Sequence, residues 1–305
     1  MSPHITVIGS TNVDLVARVP HHPSPGETVL GAGGQRGPGG KGANQALAAR
    51  LQGAEVTFLG SVGADADAEI ALGKLRDAEV ALDRVAVAAD TPTGLAIITV
   101  STDGENTIVV VPGANSAMTV TDARAATGTL EHGTIVLLQG ELPQDTTAAA
   151  ITGARQAGHR VVLNLAPWFE LAPDVLRMVD PLVVNEQEAQ AVASGLGLGD
   201  AADADDPTGT AGALVDAGIP AVVITLGAAG AVVADHAGVR TTPAPQVSAV
   251  DTTGAGDAFT GGLVARLAAG DGLDAAATHA TRVGSYAVQH PGAQRSYPSV
   301  ADPLP

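Results

Sequence analysis

Short apolar runs recur along the chain, and their spacing decides what each becomes. Ile5-Thr6-Val7-Ile8-Gly9 is closed by glycine and predicts a buried opening strand. Beyond it Val13, Leu15, Ala17 and Val19 alternate with Asp14, Val16 and Arg18, and then Pro20, Pro23 and Pro25 follow. Alternation ended by prolines predicts an edge-like strand, and Glu27 to Ala32 extends it with a second one. Helical spacing returns at 42–52, rich in Ala and Leu. A strand is expected at 56–59, a helix at 66–78 on Ile70, Leu72 and Leu75, and a short strand at 85–87. Segments 94–100 and 107–111 read as a strand pair around the turn Thr102-Asp103-Gly104-Glu105-Asn106.

From about residue 120 strands and helices alternate. Strands are expected at 134–139, 161–164, 182–185, 221–226 and 231–234, and helices from about 146, from 186, and at about 258–269 and 275–289. The Asp-, Ala- and Gly-rich segment 199–209 reads as a surface loop. Such alternation implies an α/β fold, a doubly wound and mostly parallel sheet flanked by helices with right-handed crossovers. One domain spanning 1–305 is expected. The two all-β excursions, at about 13–40 and 92–112, pair most simply as one small β-sheet lid.

Composition sharpens this picture. Hydrophobic residues make up 45% of the 305 but aromatics only 2%, so the core must be built from Ala, Val, Leu and Ile. A net charge of −17 argues against nucleic acid or an anionic membrane as partner. A polyanionic substrate would need a metal ion, helix N-termini or a placed cation. The absence of cysteine removes disulfides, thiolate zinc sites and a cysteine nucleophile. No basic segment precedes an apolar run at the start, and no apolar stretch reaches the roughly 18 residues of a membrane helix, so a cytoplasmic protein is expected.

Three stretches carry candidate chemistry. In Val250-Asp251-Thr252-Thr253-Gly254-Ala255-Gly256-Asp257-Ala258-Phe259 a strand end leads through a glycine turn into a helix. The amides of Gly254, Ala255 and Gly256 lack intrahelical partners and can face an anion, with the Asp257 carboxylate beside them. That pairing suits a hydroxyl losing a proton while a phosphoryl group gains charge; an aspartate capping a helix after a flexible turn accounts for the stretch taken alone. Gly39-Gly40-Lys41-Gly42-Ala43-Asn44 opens another helix and holds one of only two lysines, Lys41 and Lys74. Gly37 to Gly42 formally matches G-x-G-x-x-G, the basis of a competing nicotinamide-dehydrogenase reading, but its proline and its β context are wrong for a dinucleotide. A P-loop would need glycine at 35 and Ser or Thr at 42, where Gln35 and Gly42 stand. In Gly9-Ser10-Thr11-Asn12-Val13-Asp14, Asn12 and Asp14 face the same way on an extended segment and offer a grip for sugar hydroxyls, or simple turn polarity. His21, His22 and His132 show no metal spacing, and Trp168 and Phe169 are expected to pack.

Taken together with Pro25-Gly26-Glu27-Thr28 and the continuation Gln45-Ala46, these stretches resemble the PfkB (ribokinase-like) carbohydrate-kinase family, over about residues 5 to 298. The resemblance implies an α/β sandwich with a β lid often used to form a dimer, and ATP-dependent phosphorylation of a sugar's primary hydroxyl. It makes Asp257 the base and the amides of Gly254, Ala255 and Gly256 an anion hole. Asn12, Asp14, Gly40, Lys41, Asn44 and Glu141 would hold the sugar. Asn185 and Glu188, from the Asn-x-x-Glu element, would approach the phosphates and organise Mg2+ through water. Thr225, Leu226, Gly227, Ala228, Ala229 and Gly230 would form the nucleotide loop, with Gly256 also at the ATP. A K+ site is implied at Asp251, Thr253, Ala287, His290, Gly292 and Ser296. Leu165 stands where relatives often carry proline, and Thr281 where many carry asparagine near the adenine. Neither lid segment holds Phe, Tyr or Trp, so no platform exists there to stack a nucleobase. A small free sugar fits better: ribose first, 2-deoxyribose next. A non-catalytic sugar-binding regulator is the remaining alternative, and the intact Asp257 speaks against it.

Overall fold

The computed structural model describes residues 4–199 and 205–305. Its main sheet has eight strands: β1 (His4–Ile8), β4 (Glu55–Leu59), β9 (Ile135–Gln139), β10 (Arg160–Asn164), β11 (Leu182–Asn185), β12 (Ala221–Thr225), β13 (Ala231–Asp235) and β14 (Gly238–Thr242). They are ordered β14-β13-β12-β11-β10-β9-β1-β4, parallel from β4 to β12 and antiparallel at β13 and β14. Helices cover both faces, which is why the central strands read as continuous apolar runs. Ile5, Val7, Ile135 and Leu137 join α1 (Lys41–Leu51), α2 (Asp67–Asp77), α8 (Ala255–Ala268) and α9 (Leu273–Ala287) in one core. Ile8, Val136 and Leu138 face the other way, toward α3 (Val120–Thr127), α4 (Gln144–Gln156), α6 (Glu186–Gly195) and α7 (Pro207–Asp216).

The chain leaves β1 toward β4 and later returns to β9 on β1's other side. Crossovers diverge there, and a crevice opens at the carboxyl ends of β1 and β9 where ligands of such sheets bind. A second sheet stands over that region in the order β3-β2-β7-β8, from β2 (Asn12–Arg18), β3 (Ala32–Gly39), β7 (Gly94–Val100) and β8 (Asn106–Val111). The two β excursions thus pair through β2 and β7, in parallel.

Several expectations shift. The strand expected at 27–32 is β3 instead, because a turn in which the Glu27 amide donates to Ser24 delays pairing with β2 until Ala32. β3 is an edge strand, the position in a sheet where a proline such as Pro38 is tolerated. α8 begins at Ala255 rather than 258, since Gly254 at φ +74° turns the chain straight into the helix. Asp206 caps α7 and Pro207 opens it, so the loop expected over 199–209 ends within a helical turn, and its residues 200–204 lie outside those described. β5 (Ser61–Gly63), paired with β6 (Ala86–Ala88), and α3, α5 (Pro173–Leu176) and β14 were not anticipated. Phe169 packs on the second core, whereas Trp168, expected to pack, remains 40% exposed. Among the described residues no helix is long and apolar enough to cross a membrane.

Candidate active site

Two helices start in the crevice, each from a glycine in a left-handed conformation and neither with a side-chain cap: Gly40 at φ +88° before α1 and Gly254 before α8. Glycine is the residue that adopts such angles without strain. At α1 small size matters as well, because a Cβ on Gly42 would lie 2.6 Å from the Ser10 amide nitrogen. The helix therefore begins directly against the end of β1. Its free donors are engaged: the Lys41 amide donates to Glu141 Oε2 at 2.9 Å and the Gly42 amide to Ser10 Oγ at 3.2 Å. Ser10 Oγ in turn donates to the same Glu141 oxygen at 2.5 Å, bridging the ends of β1 and β9.

α8 runs against α1 with almost no space between them, since a Cβ on Gly261 would meet Ala48 Cβ at 2.5 Å. This contact brings Asp257 onto the first turn of α1. Asp257 is 7% exposed, and each of its oxygens accepts an amide proton at 2.8 Å, Oδ2 from Asn44 and Oδ1 from Gln45. Gln294 donates to Asn44 Oδ1 at 2.9 Å from behind. Gln45 also donates to Asn164 Oδ1 at 2.8 Å and accepts from Gln139 at 2.9 Å, which ties the carboxylate to β10 and β9. At the start of α8 the Ala255 amide donates to the Thr252 carbonyl at 3.2 Å, so of the three amides expected to be open this one is engaged. Those of Gly254, Gly256 and Asp257 have no partner among the described residues.

The small sheet supplies the opposite wall. Asn12 is buried and its Oδ1 accepts from Asn115 at 2.7 Å. Gly39 lies against Asp14 so closely that any side chain there would overlap the Asp14 carboxylate. Burial, then Glu141 and Asp257, push the Asp14 pKa up to about 7. The Lys41 ammonium is held above its usual pKa by Asp257 first, with Glu141 and Glu188, against the effect of burial. Burial raises Glu188 despite the Asn185 amide and Lys41. A single lysine thus sits in the field of three carboxylates.

Asn185 and Glu188 form a reciprocal cap on α6: Glu188 donates its amide to Asn185 Oδ1 at 2.8 Å and accepts the Asn185 amide at 2.9 Å. Asn185 pairs with Thr225 on β12, so these residues adjoin the exposed 3-10 turn Gly227–Ala229, which the Leu226 amide closes by donating to the Gly230 carbonyl at 2.8 Å. Asp251 joins two loops, accepting from the Thr253 amide at 2.9 Å and the Gly292 amide at 2.8 Å. Burial raises its pKa, but these bonds outweigh it and hold the carboxyl below its usual value. Ser296 donates to the Ala293 carbonyl, and His290 bonds the Tyr286 carbonyl and stacks on the Tyr286 ring. The His290 amide donates to the Ala287 carbonyl.

Ser10, Gln45, Asn115, Asn164 and Gln294 were not singled out from the sequence. Gln45 and Ser10 sit inside the glycine-bearing stretches and were legible by proximity; Asn115 and Gln294 had no local signal.

Residues 2–300 match the pfkB family carbohydrate kinase pattern. The chain is 34% identical over 300 residues to a ribokinase of Haemophilus influenzae, covering 98% of this chain and 97% of the relative. It is 37% identical to a bifunctional ribokinase/ribose-5-phosphate isomerase A of Fructilactobacillus sanfranciscensis, over 97% of this chain but only 54% of that longer protein. A deoxyribokinase of Salmonella typhi is 33% identical, over 97% and 96%. Among solved structures, a ribokinase from Thermotoga maritima superposes with a TM-score of 0.86 at 29% identity, over 97% and 96% of the two chains. Arabidopsis thaliana ribokinase complexed with ribose and ATP gives 0.83 at 29% identity, over 98% and 96%.

Proposed function

This chain belongs to the pfkB family of carbohydrate kinases, and from that premise we propose how its residues divide the work. The reaction is transfer of the γ-phosphoryl group of ATP to the 5-hydroxyl of D-ribose, giving ribose 5-phosphate and ADP. One observation carries the assignment of the site: Asn44 and Asp257, 213 residues apart, meet at 2.8 Å where two helix N-termini converge. Asp257 takes the proton of the sugar hydroxyl as that oxygen attacks phosphorus. The open amides of Gly254 and Gly256, at the positive end of α8, stabilise the charge on the phosphoryl oxygens. Asn12, Asp14, Gly40, Lys41, Asn44 and Glu141 line the sugar's side of the crevice, and Lys41 is its cation. Asn185 and the 225–230 turn face the nucleotide.

Mg2+ fits this donor set. Among the described residues no three His, Cys, Asp or Glu side chains gather to hold a metal; the ion would arrive with the triphosphate, whose oxygens are its usual partners. Glu188, whose Oε2 alone is engaged by the cap, would organise its waters, and the ion would neutralise phosphate charge. A K+ ion would sit near Asp251, whose carboxylate joins the Thr253 and Gly292 loops. With Thr253, Ala287, His290 and Ser296 it would steady the loop before Gly254. A homodimer through the small sheet is supported by β8, where Ile108, Val109, Val110 and Val111 are 44–60% exposed. The cytoplasm, where ATP and free sugar are both present, is the compartment proposed.

The test is ADP release from Mg·ATP with D-ribose, 2-deoxyribose, fructose and adenosine, with and without K+. Ribose-dependent release, stimulated by K+, is expected. Release with another sugar alone moves the substrate; ribose binding without release with any sugar removes catalysis and leaves a regulator. Equal rates without K+ remove the cation site.

A further inference from the structure

Asn115, in the 3-10 turn Gly113–Ala117 that follows β8, is a residue that none of these roles uses. It is buried, and its side-chain bonds all fall on Thr11 and Asn12, 104 and 103 residues away. The Thr11 amide donates to Asn115 Oδ1 at 3.0 Å, and Asn115 Nδ2 donates to the Thr11 carbonyl at 3.2 Å. A backbone amide only donates and a carbonyl only accepts, so this pair fixes which end of the Asn115 side chain is which. Asn115 Nδ2 also donates to Asn12 at 2.7 Å, and the atom that receives this proton must be the Asn12 oxygen. Asn12 Nδ2 is thereby turned the other way. It has no partner among the described residues and, unlike the unpaired groups of the interior, keeps some accessible surface. The surroundings leave this arrangement little slack. Asn12 starts β2 between Gly39 of β3 and Gly94 of β7, and a side chain on Gly94 would overlap both Asn12 Oδ1 and Asn115 Nδ2. The turn itself is tied down, the Ala114 amide donating to the Pro92 carbonyl at 2.7 Å and the Asn115 amide to that of Pro112 at 3.1 Å.

We propose that Asn115 is a positioning residue for the sugar: it holds the Asn12 amide so that Nδ2, a donor, faces the crevice beside the Asp14 carboxylate, an acceptor two positions along the same strand. This rests on the reading above that puts Asn12 and Asp14 on the sugar's side. A hydroxyl accepts and donates at once, so a donor beside an acceptor suits it, whereas two acceptors side by side would leave its oxygen without a proton to receive. The two ends of an amide are nearly equal in size, and an unrestrained Asn12 would present either. Asn115 removes that choice before the sugar arrives, so no binding free energy is spent on turning the amide. Asn115 itself touches no substrate and acts only through Asn12.

Asn115→Asp keeps an acceptor for the Thr11 amide but replaces Nδ2 by oxygen. Ionised, the introduced carboxyl repels Asn12 Oδ1, so the Asn12 amide should turn over and set its oxygen toward the crevice. At alkaline pH a ribose KM raised about tenfold, with kcat within about threefold of the unaltered chain, is expected. Protonation gives that carboxyl an O–H that can donate to Asn12 Oδ1 again. The ratio of the variant's KM to that of the unaltered chain at the same pH should therefore fall toward one as pH is lowered. In an Asn12→Ala background, Asn115→Asp should leave the ribose KM where Asn12→Ala alone puts it. An unchanged KM at alkaline pH overturns the inference. So does a ratio that stays flat with pH, or an effect that persists in full without Asn12, since either would make Asn115 a general support of the fold. A measurement on the unaltered chain does not depend on any variant's stability in the assay. With 15N-labelled protein, the side-chain amide resonances of Asn12, identified by their loss in Asn12→Ala, should shift on adding ribose. Those of Asn115, identified in the same way from Asn115→Asp, should stay nearly still. No shift at Asn12 while ribose binds overturns the inference. Failure of the unaltered chain to bind or turn over any sugar would remove the parent reading instead, so the two failures are distinct.

Discussion

The N-termini of α1 and α8 begin alike and are used in opposite ways. Both start from a left-handed glycine, both lack a side-chain cap, and both point into the same crevice. At α1 the donors are engaged by the chain itself, through Glu141 and Ser10, so that this end is a fixed wall. At α8 the amides of Gly254, Gly256 and Asp257 stay open. An uncapped helix start is therefore not by itself an anion site; what decides is whether the protein has already supplied the anion. Glu141 is that internal anion for α1, and the phosphoryl group is the external one proposed for α8.

From this difference, damage at α8 should appear in kcat and damage at α1 in KM. Asp257→Asn should have the largest effect, lowering kcat by about a thousandfold or more while ribose affinity stays close to normal. Steady-state kinetics beside direct ribose binding checks this, and near-normal turnover would remove Asp257 as base. Glu141→Ala should leave Ser10 Oγ and the Lys41 amide without their acceptor. A ribose KM raised about tenfold, a smaller change in kcat and a lower Tm are expected; an equal fall in kcat with unaltered KM would break the contrast.

The smallest effect concerns pH and Asp14. Its carboxyl, pushed up to about 7, is protonated below that value, loses its charge and part of its acceptor capacity, and so would hold a sugar hydroxyl less strongly. Ribose KM should rise as pH falls through about 7, and the rise should vanish in Asp14→Asn. Stability moves the opposite way. The unfolded chain releases this proton near its ordinary pKa of about 4, the folded chain near 7, so the contribution of Asp14 to stability declines as pH climbs between those values. Thermal melts across that range, with and without the substitution, measure the slope.

Much of this was legible in the sequence because it is local. A strand buried on both faces must be apolar at consecutive positions, so β1, β9, β10 and β12 announced themselves. Helices such as α3, short and rich in Ala and Thr, leave little periodic contrast, and the Asp206-Pro207 start of α7 was hidden in loop-like composition. In the site the two glycine clusters were plain, since a close approach or a positive φ demands glycine itself. That Asn44 and Gln45 would both meet Asp257 was not. Gln45 reaches it across 212 residues and Gln294 reaches Asn44 across 250, and a contact of that span imposes no pattern on neighbouring positions.

The seam where Gly261 meets Ala48 has an evolutionary consequence. Because the two helices touch backbone to backbone there, neither can drift without displacing a helix start from the reaction, and larger residues are barred from the interface. Substitutions that change sugar choice are therefore expected on the strands of the small sheet, where side chains can be exchanged while the two helices stay put. A lineage built this way can diversify what it phosphorylates far more readily than how.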